Sequence, residues 1–284
     1  MTYYKFYHYD PSLAASCIFA IVFGLSTAWH IFTMVRARTW FLLPVVIAGI
    51  FEIAGYAARA VSHSEAPNLS LGPYVVQTLL LLVAPPLLAA TMYMLLGRVI
   101  AAVDGEAYSL VPTKWLTKIF VASDVVCFIV QLGGAGLMAS AQAATSATGA
   151  HIVLAGLIIQ IVVFGLFVVV AGMFHRRLQA SQRQARQPQQ ATLLPQTFLL
   201  VLYVTSGLVL VRNIVRVAEF IEGFDGYIIL HEAFLYVFDA LPMAAVMAIF
   251  NGWHPSRLVK NVAGGRRKAS GDSSLEMGSM GSQT

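Results

Sequence analysis

Ionisable side chains interrupt two long apolar runs in the last third of the chain. Residues 211–243 carry five of them at helical intervals: Arg212, Arg216, Glu219, Glu232 and Asp239. Side chains three, four or seven positions apart lie on one face of a helix. Charged groups at membrane depth are costly and rarely face lipid, so they mark a packed interior or a pathway. Because residues 222–226 leave room only for a tight turn, we predict a helical hairpin with a charged stripe on each arm.

Other apolar runs repeat the seven-residue interval. Glu52 and Arg59 are seven apart in one run, and Asp124 and Gln131 are seven apart in another. Gln160 lies at the centre of a further run. The candidate substrate-binding or proton-linked residues are therefore Glu52, Arg59, Asp124, Gln131, Gln160, Arg212, Arg216, Glu219, Glu232, Tyr236 and Asp239.

The embedded charges do not balance, because five of these candidates are carboxylates and three are arginines. An unpaired carboxylate in a medium of low dielectric constant tends to take up a proton. The excess predicts either a proton relay or a site for a cationic amine. Buried ion pairs that only fix helix packing are the structural alternative, above all for Arg216 with Glu219 or Glu232.

Composition sets the class of protein. The 284 residues are 58% hydrophobic and 11% charged, with a mean hydropathy of +0.74, whereas globular domains have about 25% charged residues. The apolar runs are too long for the strands of an outer-membrane barrel. The chain is therefore predicted to be an all-α integral membrane protein. We expect no nucleic-acid partner, because its basic residues lie in loops and tail.

Seven spans are predicted within one membrane domain, residues 1–255, followed by a disordered tail, residues 256–284. The spans cover about 13–35, 41–62, 73–98, 116–139, 149–174, 197–220 and 227–250. Pro85 and Pro86 predict a kink or a broken hydrogen-bond ladder in the third span. Small residues at 133–136 predict close helix contact in the fourth.

Basic residues predict the orientation. Fourteen lysines and arginines fall on one side of the seven spans, while the other side has Lys5, with Arg59 near a span end. The positive-inside rule then places the N-terminus outside and the C-terminus in the cytoplasm. A glycosylation sequon at Asn68 falls in a loop predicted to be outside.

Enzyme signatures are lacking. His231-Glu232 begins like HExxH, but position 235 is Leu, and there is no Walker A, GxSxG or dinucleotide motif. The histidines lack the grouping that a seven-span metal hydrolase needs. We therefore predict a protein that is not an enzyme and has no metal or cofactor.

Several motifs resemble one fungal family, over roughly residues 8–258. They are Glu52 to Arg59 with Gly55-Tyr56, Ala84-Pro85-Pro86 with Tyr93, Asp124 with Gln131, Arg212 to Glu219, and His231 to Met243. The family is the lipid-translocating exporters, also called aminocholesterol-resistance-like proteins. The resemblance implies a seven-span fungal protein linked to sphingoid long-chain base export, sterol-analogue resistance or porphyrin transport. It assigns no catalytic or substrate residue.

We therefore expect a transporter of amphipathic lipids, sphingoid long-chain bases or sterol-like molecules, working through a polar bundle interior. Its partners are membrane lipids and an amphipathic small molecule. The plasma membrane is the expected location, with an endomembrane as the alternative. The rival hypotheses are a seven-helix lipid sensor or receptor, a porphyrin or haem carrier using His30 or His231, and a membrane-embedded metal-dependent hydrolase.

The orientation is testable with an epitope tag at the C-terminus. In intact fungal spheroplasts we expect antibody to reach the tag only after permeabilisation, since the tail is predicted to be cytoplasmic. Endoglycosidase should increase the mobility of the wild type and leave that of Asn68→Gln unchanged. A tag reached without permeabilisation contradicts the orientation.

Overall fold

The structure describes residues 11–65, 70–138, 143–184, 193–223 and 226–253. In the computed structural model this part of the chain is helical and contains no strand. The α-helices are α1 Leu13–Ala37, α2 Leu43–Ser64, α3 Leu71–Ala102, α4 Thr113–Met138, α5 Ala143–Gln184, α6 Leu193–Glu222, α7 Tyr227–Leu230, α8 Glu232–Leu235 and α9 Leu241–Gly252. Short 3₁₀ turns cover Trp40–Leu42 and Glu106–Tyr108, and a π-helical turn covers Tyr236–Ala240.

The predicted fold class is confirmed. Within the described ranges, seven segments are long and apolar enough to cross a membrane, the last of them Glu232–Gly252. The surface is apolar as well, with Leu25 71% exposed on α1 and Leu200 62% exposed on α6. Such a surface suits lipid contact. The proposed sequon residue Asn68 and the tail at 256–284 lie outside the described residues.

The helices form a closed bundle around α3. Each of α1 to α6 packs on the next helix along the chain, and α9 closes the bundle by packing on α6 and α1. α3 also packs on α6 across the centre. Leu88, Met92 and Leu96 on α3 are therefore fully buried, and this helix forms the middle of the core.

Local signals explain where the first two helices begin and end. The Ser12 hydroxyl caps α1 by accepting a hydrogen bond from the Ala15 amide at 3.3 Å. α1 ends at Arg38, which has a left-handed φ of 52°. The 3₁₀ turn then leads into α2, where Pro44 occupies a first-turn position that needs no amide donor.

α5 is longer than predicted. The fifth span was predicted to cover about residues 149–174, but the helix runs from Ala143 to Gln184. Its 42 residues correspond to about 63 Å at 1.5 Å per residue, roughly twice the apolar thickness of a bilayer. The extension is held in place because Leu178 is buried and Ser181 hydrogen-bonds the Tyr108 hydroxyl at 2.6 Å.

The seventh span is not the single regular helix that was predicted. His231 adopts an extended conformation, with φ −115° and ψ 106°, between α7 and α8. Its Nδ1 lies 2.9 Å from the Tyr227 carbonyl oxygen, so the side chain bonds a backbone group beside the break. The π-helical turn follows and carries Tyr236 and Asp239. The hairpin is therefore correct as a pair of arms, but its second arm is irregular where the charged residues lie.

Glycine lets α4 and α5 approach closely, as the small-residue prediction required. A Cβ built on Gly134 lies 2.8 Å from the Gly149 carbonyl oxygen, and one on Gly149 lies 2.5 Å from the Gly134 carbonyl oxygen. Gly133 and Gly136 have nothing within 4 Å of such a Cβ. The closest backbone approach of the two helices therefore depends on Gly134 and Gly149.

Gly134→Leu should destabilise the bundle by about 1–3 kcal/mol, because the new side chain overpacks the α4–α5 contact. Gly133→Leu is the matched control and should unfold close to the wild-type temperature, since its position is open. Thermal unfolding in detergent micelles measures both variants. Equal losses in the two variants would show that the contact does not depend on Gly134.

Candidate functional site

The first cluster joins α1, α2 and the seventh span, and we call it the Glu232 cluster. The buried Arg59 donates to Glu232 Oε1 at 2.8 Å and to the Tyr236 hydroxyl at 3.1 Å. Tyr236 donates to the same Glu232 oxygen at 2.9 Å. The Ser12 amide also donates to it at 2.8 Å, and a carboxylate at a helix N-terminus is favourable. Glu232 thus ties three elements together while its side chain keeps 19% exposure.

The second cluster lies between α6 and the π-helical turn, and we call it the Asp239 cluster. Asp239 Oδ1 accepts from Arg212 Nε at 2.5 Å, and Oδ2 accepts from Arg216 Nη2. Arg216 Nη1 also pairs with Glu219 at 3.0 Å. Arg212 and Asp239 are 1% and 8% exposed. One buried carboxylate therefore serves two arginines that lie one helical turn apart.

Arg212 reaches a third helix through a carbonyl that a proline frees. Its Nη2 donates to the Leu81 carbonyl oxygen at 2.6 Å. In a regular helix that oxygen accepts from the amide of residue 85, but Pro85 has no N–H. Arg212 thus satisfies a backbone group at the proline of α3, and this links the proline to the Asp239 cluster.

Glu52 is a buried carboxyl of a different kind. It is 2% exposed and lies within electrostatic range of Asp239, Arg212 and Arg216. Within the described part of the chain no hydrogen bond or ion pair reaches it. One turn further along α2, the Tyr56 hydroxyl is buried and has no hydrogen-bond partner among the described residues.

Aromatic rings line the interior beside these groups. The Tyr56 ring stacks on Phe19 and on Phe23, each at a centroid distance of 5.7 Å. Phe19 in turn stacks on Tyr236 at 5.4 Å. Carboxylates beside aromatic faces suit organic cations.

The remaining candidates lie apart, on α4 and α5. Asp124 accepts from the Tyr93 hydroxyl at 2.9 Å, and Gln131 donates to Gln160 at 3.0 Å. All three sequence-predicted side chains are buried. His30, on α1, lies 3.2 Å from the Met247 carbonyl oxygen through Nε2. Eight of the eleven candidates thus lie in or near the Glu232 and Asp239 clusters, and the other three form interhelical contacts on α4 and α5.

Spacing identified the charged members of the site but not all of their partners. Ser12, Ser16, Gln77, Asn213 and the Leu81 carbonyl escaped the sequence analysis. Pro85, four residues after Leu81, was the signal that a carbonyl needed a donor. Ser16 had no comparable signal, because a short hydroxyl on an apolar helix often bonds its own backbone, and Ser12 contributes its backbone amide, a group that nearly every residue carries.

A small cleft opens beside the Asp239 cluster. It is lined by charged side chains, Arg216, Glu219 and Asp239, and by apolar ones, Ile228, Phe234 and Phe238. Its volume of about 30 Å³ holds no more than a few water molecules. The cleft therefore has an amphipathic lining but is closed to a lipid in this conformation.

The chain belongs to the RTA1-like family, whose description "RTA1 like protein" matches residues 45–262. Over 217 residues it is 42% identical to Protein RTM1 of Saccharomyces cerevisiae, covering 76% of this chain and 68% of that protein. No solved structure matches.

Two further relatives from the same yeast carry functional names. Protoporphyrin uptake protein 1 is 33% identical over 280 residues, covering 86% of this chain and 90% of that protein. Sphingoid long-chain base transporter RSB1 is 27% identical over 277 residues, covering 86% and 72%. The chain is thus an integral membrane protein of a family with members named for transport.

Pro85 and Arg212 should be energetically coupled. Arg212→Leu leaves the Leu81 carbonyl without its donor, and a buried unsatisfied carbonyl costs about 1–3 kcal/mol. Pro85→Ala restores an amide at that position, so it should stabilise Arg212→Leu more than it stabilises the wild type. Thermal unfolding of the four proteins in detergent measures the difference.

Pro86→Ala is the matched control, because it restores an amide that faces the Leu82 carbonyl. Its effect should be the same with and without Arg212→Leu. If the effect of Pro85→Ala on thermal stability is also the same with and without Arg212→Leu, the hydrogen bond from Arg212 does not compensate for the proline.

Proposed function

We propose that this protein is a transporter of amphipathic lipids with a cationic head group, and that sphingoid long-chain bases are its substrate class. The observation that carries the proposal is the cleft beside the Asp239 cluster, which is lined by both charged and apolar side chains. An amphiphile likewise combines a charged head with an apolar tail. The transporter named for sphingoid long-chain bases, 27% identical to this chain, supports the substrate class.

The charges favour a cation. Asp239 is saturated by two arginines and Glu232 by Arg59, while Glu52 has no ion-pair partner among the described residues. Asp239 lines the cleft, and Glu52 lies within electrostatic range of Asp239, so an ammonium group that enters the cleft comes near both carboxyl groups. The aromatic faces of Tyr56 and Tyr236 add a favourable surface for an organic cation.

The irregular seventh span offers a route for entry. The extended His231 and the π-helical turn interrupt the regular ladder beside the cleft, and π-helical turns are frequent at functional sites. We infer that movement of α7 and α8 away from α6 opens the cleft sideways to the bilayer. The head then reaches the charged residues while the tail stays in lipid. Opening on alternate sides would carry the head across the membrane, and we place this activity in the plasma membrane.

Porphyrin transport is the second candidate, because a relative 33% identical to this chain is named for protoporphyrin uptake. His231 lines the cleft, whereas His30 is buried against the Met247 carbonyl. A Soret band in protein purified with haem that His231→Ala abolishes would favour this function.

Purified protein in liposomes should exchange a fluorescent long-chain base between leaflets faster than empty liposomes do. Asp239→Asn should lose most of this rate, because the variant removes the carboxylate that faces the cleft. Size-exclusion chromatography checks that the variant is folded, and an N-acylated, uncharged analogue controls for the head group. Exchange equal to that of empty liposomes, from folded wild type, would overturn the proposal and favour the sensor or hydrolase hypotheses.

A further inference from the structure

Glu52 is the one carboxyl near the Asp239 cluster that no arginine holds within the described residues. Asp239 and Glu219 are both in ion pairs with the α6 arginines. Glu52 is the most deeply buried of the three, at 2% exposure, and accepts no hydrogen bond from the described residues. An isolated carboxylate in this setting is strongly disfavoured relative to its neutral acid.

The charge balance of the site also favours the neutral acid form of Glu52. Arg212 and Arg216 supply two positive charges, which Asp239 and Glu219 neutralise. If Glu52 were also ionised, the cluster would carry one uncompensated negative charge in the membrane interior. A proton on Glu52 makes the cluster neutral, and so would a bound monovalent cation.

The surroundings of Glu52 leave few other groups to take part. Asp239 comes from the π-helical turn, Arg212 and Arg216 come from α6, and Tyr56 lies on α2 itself. α1 and α3 also pack on α2. Their ionisable groups are engaged elsewhere or lie apart. His30 is at the Met247 carbonyl, Tyr93 is bonded to Asp124, and Arg98 lies 3.7 Å from the centre of the Phe41 ring. Tyr74, near the start of α3, has a contact of its own, and Cys17 and Arg36 are exposed.

We propose that Glu52 holds one proton in the closed protein and gives it up when the ammonium group of the substrate binds between Glu52 and Asp239. This inference rests on the proposed function. The O–H bond of the Glu52 acid breaks, its proton passes to water in the cleft, and the carboxylate pairs with the ammonium group. One positive charge replaces another, so the cluster stays neutral and no redox partner is required.

The exchange has a consequence for energy coupling. If the site binds either a proton or a substrate amine, each outward movement of an amine is matched by inward movement of a proton. A proton gradient across the membrane can then drive export of a cationic amphiphile. The chain needs no nucleotide-binding motif for this mode of coupling.

The test is proton release during binding. Purified full-length protein in weakly buffered detergent solution, with a pH indicator, is titrated with a long-chain base, while binding is followed separately by fluorescence. We expect about one proton released per base bound, and affinity that weakens up to tenfold for each unit of decrease in pH while Glu52 is protonated. Titration into protein-free detergent corrects for protons released by the base itself.

Glu52→Gln mimics the neutral acid and should fold, but it should release no proton and bind with an affinity independent of pH. Glu65→Gln, the same substitution at the exposed end of α2, should behave as the wild type does. If Glu52→Gln fails to fold, the wild-type proton count and pH slope still decide the question.

The outcomes separate the two proposals. Binding and leaflet exchange of the base without proton release, or proton release that persists in Glu52→Gln, would overturn the exchange at Glu52 and leave the transport function standing. An absence of both binding and exchange in folded wild type would overturn the proposed function itself.

Discussion

The two arginines of α6 set the main constraint on this bundle. A guanidinium group stays charged at any accessible pH, so at membrane depth it must be met by carboxylates and carbonyls. Asp239 takes a bond from each arginine, and Arg212 uses its other side on the Leu81 carbonyl. This arrangement fixes α3, α6 and the π-helical turn relative to one another. The π-helical turn carries this carboxylate to a position where it meets two guanidinium groups one turn apart on α6.

The same bonds make the site difficult to open without a change of charge. Separating the seventh span from α6 would break the ion pair between Arg216 and Asp239. Breaking a buried ion pair by removing one partner typically costs about 3–5 kcal/mol. A cation that arrives as the pair loosens compensates Asp239, and Glu219 continues to compensate Arg216. The proline in α3 gives Arg212 a second partner during this movement. On the proposed function, opening and substrate binding would therefore be coupled by electrostatics.

Hydropathy predicted the seven spans, since the length and apolar character of a crossing helix are set by the bilayer. Seven-residue spacing identified the buried charges, because it depends only on helical periodicity. The partners with which these charges pair depend on how each helix is rotated about its axis, and residue spacing does not determine that rotation. Arg216 pairs with Asp239 as well as Glu219, whereas Glu232 pairs with Arg59. The break at His231 and the helical extension to Gln184 were missed because they are accompanied by specific hydrogen bonds, one local and one to the distant Tyr108, that hydropathy does not register.

Two relatives are named for compounds of opposite charge, a sphingoid base and protoporphyrin. The two charges would need different partners in this site. The propionates of a porphyrin would need an arginine, and Arg59, Arg212 and Arg216 each hold a carboxylate already. An anion must therefore displace an existing ion pair. In the proposed exchange an ammonium group replaces only the proton of Glu52, and the cluster keeps its net charge. Exchange of like charges avoids leaving a bare ion in a medium of low dielectric constant, which supports the proposed cationic amphiphile over an anionic one.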